Sequence, residues 1–367
     1  MRNKLITIFF CLLLAGATVI SFVLPDKYYS ESEKRKLTQK DDVKIAEYME
    51  GKFQSNIDKY LTDQFPGRDG WISIKTVTDI VSGKRDSGGV YFGKDGYLIQ
   101  KFSSIKAENF KANTAAILTL QEQAKAQNVS FTVIPVPTAV EVLSDKLPAF
   151  APHLEQSKLI EYMEKQGLNV VDVADTLKQH RNEYIYYRND HHYTSLGAYY
   201  CYAAYRESLN LPVPSLDEYK SEALCENFLG TSYAKVNFPF AQPDTITAYY
   251  KNASRTVRYN NGDYVTDSIY ERKYLDGKDQ YAVFLNSNQG QTVIQGSGKT
   301  GKLLMIKDSY GNTFAQFPVE DYAEVHMLDL RFFRGNVEEY MKTNGITDVL
   351  VLYGIPNFAN DVTISVQ

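Results

Sequence analysis

The sequence predicts an α/β fold in which helices cover both faces of a parallel sheet. From residue 107 onward, segments with helical apolar spacing alternate with short strand-like segments. The short segments are apolar at nearly every position, which is typical of strands buried on both faces. The alternation breaks at about residues 215–300, where short runs such as "TITAYY", "TVRYNNGDYV" and "YAVFLN" lie between turn residues. That block predicts an antiparallel β insertion.

The N-terminal segment predicts a membrane anchor. After Arg2 and Lys4, residues 5–24 form the uncharged run "LITIFFCLLLAGATVISFVL". This run has the ~20 residues that a helix needs to span a bilayer. It is longer than the roughly 7–15 apolar residues of a cleaved signal, and no A-x-A site follows it. We therefore expect residues 1–24 to be a single-pass signal-anchor in the cell membrane, with a removed signal peptide as the alternative.

The chain after the anchor divides into a short stalk and one large domain. Residues 25–60 are polar and charged, with "SESEKRKLTQKDD" in the first half, and predict a juxtamembrane stalk. Residues 61–367 predict the main domain, which contains the β insertion. Because a short N-terminal tail is a poor candidate for export, we expect this domain to lie on the extracytoplasmic side, or to be secreted if the anchor is cleaved.

The individual elements of the main domain follow from local patterns. "GGVYFGKDGYLIQ" predicts a β hairpin. Helices are predicted in "AENFKANTAAILTLQEQAKAQ", "EQSKLIEYMEKQG", "TSLGAYYCYAAYRESLN", near residues 310–317 and in "NVEEYMKTNG". Strands are predicted in "VSFTVIPV", "NVVDV", "KLLMI", "AEVHML" and "DVLVLYG". Thr194 or Ser195 is a suitable N-cap for the third of these helices.

Composition narrows the range of partners. A net charge of -4 and a pI near 5.8 give no global basic field, so nucleic acid is not an expected partner. The chain contains 28 Tyr and 19 Phe but one Trp. This content favours β-rich packing, and the alternative is a polar aromatic surface suited to sugars. We expect Cys201 and Cys225 to be buried free thiols rather than a disulfide.

Three side chains predict a serine nucleophile. A serine hydroxyl becomes reactive when an imidazole removes its proton and a carboxylate fixes the tautomer of that imidazole. In an extended "RNDHHYTSLG", Asp190 and His192 project to the same side, which favours His192 as the general base and Asp190 as its partner. Ser309 follows the strand "LLMI" directly, where a strand-to-helix turn presents a nucleophile. His191 projects the other way and is expected to be structural or to face the substrate.

Further candidates concern the oxyanion that attack by Ser309 would create. The Ser309 backbone N–H at a helix start is the first expected donor. A second donor is expected from the backbone of Gly230 and Thr231 in "FLGTSY" or from the amide of Asn357 in "GIPNF". Tyr310 adjoins the nucleophile, and Arg331 is a candidate substrate clamp, with an ordinary ion pair as the alternative.

Other chemistries find less support in the sequence. No H-x-x-x-H or C-x-x-C motif is present, so no metal site is predicted, although Asp-x-His at 190–192 could chelate one. No pair among the acidic residues stands out as the facing carboxylates of a glycosidase. No soluble cofactor is implied.

Several motifs resemble those of the DHHW protein family. "DHHYTSLGAYY" is similar to its signature, with Tyr193 at the position of the Trp. "DQFPGRDGW", "FGKDGYLI", "VIPVPTAVEVLSDKLP", "NFLGTSYAK" and "IKDSYGNTF" are also similar. The family is a branch of the SGNH-hydrolase-like superfamily and is similar to the alginate-type polysaccharide O-acetyltransferases. One departure is Lys307, which stands where the superfamily has the Gly of a Gly-Asp-Ser block.

The resemblance implies both a fold and a function. The fold would be three-layered α/β/α and SGNH-like, with flavodoxin-like layering. The function would be transfer of acetyl to hydroxyls of a cell-surface or secreted polysaccharide, with Asp190, His192 and Ser309 in the catalytic roles. A membrane-bound O-acyltransferase (MBOAT) would be the partner that supplies acyl groups. The alternatives are a carbohydrate acetyl-esterase of the same mechanism and a non-catalytic glycan-binding assembly protein.

Overall fold

The chain folds into two compact units. The computed structural model describes residues 2–30, 35–252, 254–277 and 279–366. The first unit comprises Met1–Gly88 and Tyr233–Ala241, and the second comprises Gly89–Ser232 and Gln242–Gln367. The division into a stalk at 25–60 and a main domain at 61–367 stays a prediction.

Most of the helices and strands predicted from the sequence are present in the structure. The helices are α1 Arg2–Val23, α2 Lys52–Asp63, α3 Arg68–Val81, α4 Ala107–Ala126, α5 Ala139–Val142, α6 Ser157–Lys165, α7 Ala174–Gln179, α8 Ser195–Ser208, α9 Thr231–Val236, α10 Tyr310–Phe314, α11 Val337–Asn344 and α12 Ile355–Asn360. The strands are β1 Tyr29–Ser30, β2 Arg35–Lys36, β3 Asp86–Ser87, β4 Val90–Phe92, β5 Leu98–Gln100, β6 Ser130–Val136, β7 Lys220–Phe228, β8 Asp244–Tyr250, β9 Val257–Tyr259, β10 Tyr264–Thr266, β11 Gln291–Gln295, β12 Lys302–Lys307, β13 Glu324–Leu328 and β14 Asp348–Gly354.

The second unit is a mixed α/β structure around a seven-stranded sheet of order β10-β9-β11-β13-β12-β14-β6. Strands β13, β12, β14 and β6 are parallel to one another, as the sequence predicted. The sequence predicted a parallel sheet with an antiparallel β insertion; in the structure the sheet is mixed, because β11, β9 and β10 extend it in antiparallel register. These three strands come from the predicted β insertion. The other two strands of that block, β7 and β8, form a separate antiparallel pair.

Both faces of the sheet are covered by apolar side chains. Alternate residues of β12 enter two different clusters: Leu303 and Met305 lie in one, and Leu304 and Ile306 lie in the other. The first cluster includes side chains of α8 and α10, and the second includes side chains of α4 and α11. This arrangement explains why the parallel strands are apolar at every position.

Two local predictions are corrected by the structure. "NVVDV" contributes only an isolated bridge, between Val170 and Val133 of β6. "YAVFLN" is not a strand, because Gln280–Val283 form a buried 3-10 turn. The cysteine prediction agrees with the structure more closely: Cys201 is a buried free thiol, and Cys225 is a free thiol that is half-buried. Burial raises the pKa of both thiols.

The first unit contains helices α2 and α3. Within α3, the Asp79 carboxylate accepts hydrogen bonds from Lys75 (2.6 Å), Lys84 (2.7 Å) and Ser87 (2.7 Å). Of the residues described, none forms a helix long and apolar enough to cross a membrane. The structure thus does not show the anchor predicted for residues 1–24. The stalk predicted for 25–60 stays a prediction, and its residues 31–34 lie outside the described part.

Candidate active site

A short loop before α8 carries Asp190, His191 and His192. The loop is closed by a bridge between Tyr186 and Tyr193, and its central residues bend instead of extending as a strand. Thr194 caps α8, since its hydroxyl accepts a hydrogen bond from the Gly197 N–H. The loop is thereby held at both of its ends.

Asp190 and His192 face one another because of the bend. Asp190 Oδ1 accepts both the backbone N–H of His192 (3.0 Å) and its ring Nδ1–H (2.5 Å). The same-side placement that the sequence predicted is present, but it arises from this side-chain-to-backbone turn and not from strand geometry. Both side chains are almost fully buried, with residue exposures of 2% and 4%.

The second oxygen of Asp190 is held by Thr231, the first residue of α9. Asp190 Oδ2 accepts the Thr231 backbone N–H (2.7 Å) and the Thr231 hydroxyl (2.9 Å). Gly230 lies directly against the carboxylate, and a Cβ placed there would be 2.3 Å from Oδ2. The loop of His192 and the start of α9 thus each supply donors to one oxygen of this buried carboxylate.

His192 connects this carboxylate to Ser309. Its Nε2 lies 2.7 Å from Ser309 Oγ. Because Nδ1 donates to Asp190, the neutral imidazole presents Nε2 as an acceptor for the serine proton. Ser309 is only half-buried. An acid, an imidazole and a hydroxyl are thus joined in one hydrogen-bonded chain that ends at the half-buried Ser309.

Ser309 lies in the turn between β12 and α10. The adjacent Asp308, which is fully buried, accepts hydrogen bonds from the backbone N–H groups of Tyr310 (3.0 Å) and Gly354 (3.0 Å) and from Asn357 Nδ2 (2.7 Å). These bonds join the end of β12 to the turn that follows β14. Burial raises the pKa of Asp308, and the three donors oppose that shift.

A buried charged group adjoins the same edge of the sheet. Lys307 Nζ lies 3.1 Å from Asn288 Oδ1 and 3.5 Å from Asp329 Oδ2. Arg331 forms a bidentate pair with Asp329 at 2.8 and 2.6 Å. Desolvation lowers the pKa of Lys307, which the Asp329 carboxylate partly offsets.

The structure places the remaining predicted site residues in supporting positions. The Thr231 N–H is directed at Asp190, so it is not available as an oxyanion donor, and the Asn357 amide donates to Asp308. Arg331 makes the ordinary ion pair that was the alternative to a substrate clamp. The Tyr310 hydroxyl donates to the His191 carbonyl (2.6 Å).

His191 packs against His192 and is partly exposed to solvent. Its Nδ1 lies 2.6 Å from the Thr231 hydroxyl, and because that hydroxyl donates to Asp190, it accepts from His191. The His191 ring lies 3.8 Å from the His192 ring, and its side chain is 28% exposed. Among the predicted accessory residues, His191 is thus one that stays partly exposed next to the imidazole of His192.

Tyr281 was not identified from the sequence. Its ring stacks on the imidazole of His192, with ring centroids 4.0 Å apart and planes 9° apart. The only local signal was "YAVFLN", whose apolar character predicts burial but not which side chain it meets.

Asp190, His191 and His192 can present one ligand atom each within 4.8 Å of one another. However, the Asp190 oxygens and both Nδ1 atoms take part in the hydrogen bonds described above. The arrangement therefore fits proton transfer from Ser309 better than it fits coordination of a metal ion.

Comparison with known proteins assigns the family. The DHHW protein family matches residues 76–328, more than half of the chain, and the chain therefore belongs to this family. A DHHW family protein from Eubacterium siraeum is 25% identical, with 77% of this chain and 95% of that chain covered and a TM-score of 0.64. Comparison with curated proteins found no match.

Two other solved structures are similar to this chain. Bacillus cereus PatB1, solved with a sulfonyl adduct, is 20% identical over 73% of this chain and 97% of that one, with a TM-score of 0.61. The O-acetyltransferase domain of Pseudomonas putida AlgJ is 14% identical over 75% of this chain and 94% of that one, with a TM-score of 0.49.

Proposed function

We propose that this chain is a serine acyltransferase of SGNH-hydrolase-like architecture that moves an acetyl group onto hydroxyls of a polysaccharide. The observation that carries the proposal is the continuous hydrogen-bonded chain Asp190–His192–Ser309. Membership of the DHHW family and the resemblance of its motifs to those of polysaccharide O-acetyltransferases support acetyl as the group and a polysaccharide as the acceptor.

The reaction would proceed in two steps. Ser309 Oγ attacks the carbonyl carbon of the acyl donor while His192 Nε2 takes the hydroxyl proton. When the tetrahedral intermediate collapses, that proton goes to the leaving group and Ser309 carries the acyl group as an ester. A sugar hydroxyl then attacks this ester, gives its proton to His192, and leaves as the acylated sugar while Ser309 recovers its proton.

The backbone N–H of Ser309 is the first oxyanion donor in this mechanism. It lies at the N-terminus of α10, and within the described residues it has no hydrogen-bond acceptor. One such donor typically contributes roughly 3–4 kcal/mol to lowering the barrier. Asp308 fixes the direction of this N–H indirectly, because its carboxylate accepts the N–H of Tyr310, which follows Ser309, and the N–H of Gly354 at the end of β14.

The location and the partner are also proposals. We propose that residues 1–24 anchor the chain in the cell membrane with the acyl-transfer unit outside, and that an MBOAT protein supplies the acyl groups. The uncharged N-terminal run supports the first proposal, and the family resemblance supports the second. Fractionation of cells that express the full chain, with protease added from outside, tests the location. Co-purification with a co-expressed MBOAT protein tests the partner.

The test of the chemistry is mass spectrometry of the purified chain after incubation with a chromogenic acetyl ester. Ser309 is expected to gain one acetyl group, and the adduct should disappear when an acceptor oligosaccharide is added and an acetylated sugar forms. The matched control is Ser130→Ala, which alters an exposed serine at the start of β6. Ester release without any acetylated sugar would make the chain an esterase. No adduct and no release would leave the glycan-binding alternative.

A further inference from the structure

Tyr281 contacts both partners of the proton transfer. Its ring lies flat on the His192 imidazole, with 4.0 Å between ring centroids and 9° between planes. Its hydroxyl donates to the backbone carbonyl of Ser309 (3.2 Å) and lies 2.6 Å from Thr313 Oγ1. A phenol has one proton, so Thr313 donates to Tyr281 in this arrangement.

The stacking matters because His192 is buried. During acyl transfer the imidazole becomes a cation where only 4% of the residue is exposed to solvent. Asp190 stabilises that cation at the edge of the ring, through Nδ1. The face of an aromatic ring carries partial negative charge and attracts a cation placed over it, most strongly where water is excluded.

We propose that Tyr281 is a positioning residue for the proposed acyl transfer, because its ring stabilises the protonated form of His192 while its hydroxyl fixes the Ser309 turn. This inference deepens the proposed function and rests on it. It adds a residue whose two ends can be tested separately, since one substitution removes the hydroxyl and another alters the ring.

The other groups that face His192 cannot replace this contact. The Tyr310 ring is tilted by 58°, with its centroid 4.9 Å away. The His191 ring is 3.8 Å away and tilted by 37°, and if it became protonated it would oppose a charge on His192. Among the described residues, the charged group in contact with His192 is Asp190, whose carboxylate reaches only the edge of the imidazole, and Thr231 is neutral. Of these three rings, that of Tyr281 lies nearly parallel to the His192 imidazole.

The experiment varies the ring electronics without changing the ring's shape. Position 281 is made phenylalanine, monofluorophenylalanine or trifluorophenylalanine, since fluorine progressively withdraws charge from the ring face. The first readout is kcat/KM for the acetyl ester as a function of pH. The second is the pH midpoint of the His192 ring signal by NMR on 13C-histidine-labelled protein, assigned by its loss in His192→Ala.

We expect two coupled effects across the series. A weaker ring face makes the imidazolium harder to form, so kcat/KM on the pH plateau should fall by up to about tenfold. For the same reason His192 loses its proton more readily, so both midpoints should move to lower pH, by up to about one unit. A residue that only filled space would change neither midpoint. Tyr281→Phe alone should cost less activity, because it keeps the ring and loses only the hydroxyl.

Tyr259 provides the matched control, since it is a buried tyrosine stacked on another ring, Tyr264, at 5.6 Å and 15°. The same substitutions at 259 should leave both midpoints unchanged. An NMR midpoint that stays constant across a folded series at 281 would overturn the inference even if the enzyme is active. A moving midpoint in a chain that transfers no acyl group would support the ring's role while refuting the proposed function.

Discussion

Gly230→Ala tests the site without removing any of its reactive groups. The added Cβ would lie 2.3 Å from Asp190 Oδ2 and 2.4 Å from Asp190 Cβ, whereas ordinary contacts begin near 3.4 Å. The carboxylate must therefore retreat by roughly 1 Å, and His192 loses its orientation with it. Misplacement on this scale costs about 10²-fold in rate, or about 2.7 kcal/mol of barrier. Complete loss of the orienting carboxylate would cost about 10⁴-fold, which sets the upper limit.

The assay is kcat/KM with the chromogenic acetyl ester, together with the thermal midpoint of each variant. Alanine substitutions at two other glycines are the controls that distinguish a loss of folding stability from a loss of catalysis. Gly70→Ala meets no atom within 4 Å in helix α3 and should gain up to about 1 kcal/mol of stability with unchanged turnover. Gly296→Ala brings a Cβ to 2.0 Å from the Tyr322 carbonyl oxygen and should lower the thermal midpoint more than it lowers turnover. A folded Gly230→Ala protein with turnover within threefold of the parent would refute the reasoning.

Three further predictions concern other contacts. Ser309→Ala and His192→Ala should each abolish nearly all ester turnover, and the double variant should be no worse, because the residues act as one unit; additive losses would contradict this. Thr231→Val removes a hydroxyl donor to a buried carboxylate and should cost about 1.5–3 kcal/mol in urea unfolding, which Thr231→Ser should restore. Burial lowers the pKa of His326, so below about pH 6.5 the unfolded chain binds the proton more readily and stability falls. His326→Gln should flatten the dependence of stability on pH, which urea unfolding at several pH values measures. An unchanged slope of stability against pH would contradict this prediction.

The sequence was informative wherever a local pattern has one structural cause. Strands β6, β12 and β14 are apolar at almost every position because both of their faces are buried, so their existence and parallel direction could be predicted. The antiparallel character of the block that contains β9 and β11 was also predicted, but alternation along one strand does not identify the neighbour with which it pairs. The pairing of β11 with β13, which joins this block to the central sheet, therefore appeared only in the structure.

The same distinction applies to the site. Asp190 and His192 are two residues apart, and Ser309 lies in the turn just after β12, so short-range patterns were sufficient to select them. Tyr281 reaches the site through tertiary packing, and the residues beside it in sequence give no sign of it. Thr231 was selected for its backbone N–H, but that group stabilises the carboxylate and does not face the substrate.

Two buried aspartates lie on the two sides of the nucleophile, and their partners give them different roles. Asp190 accepts from the imidazole, so its charge is coupled to the proton that moves during acyl transfer. In the described part of the chain, Asp308 accepts from two backbone N–H groups and the Asn357 amide, and none of these groups gains or loses a proton in the reaction. An amide at position 190 would favour the wrong imidazole tautomer, whereas an amide at position 308 would disturb only the path of the backbone. The contacts of Asp190 therefore assign it to proton transfer, and the contacts of Asp308 assign it to fixing the strand-to-helix turn that carries Ser309.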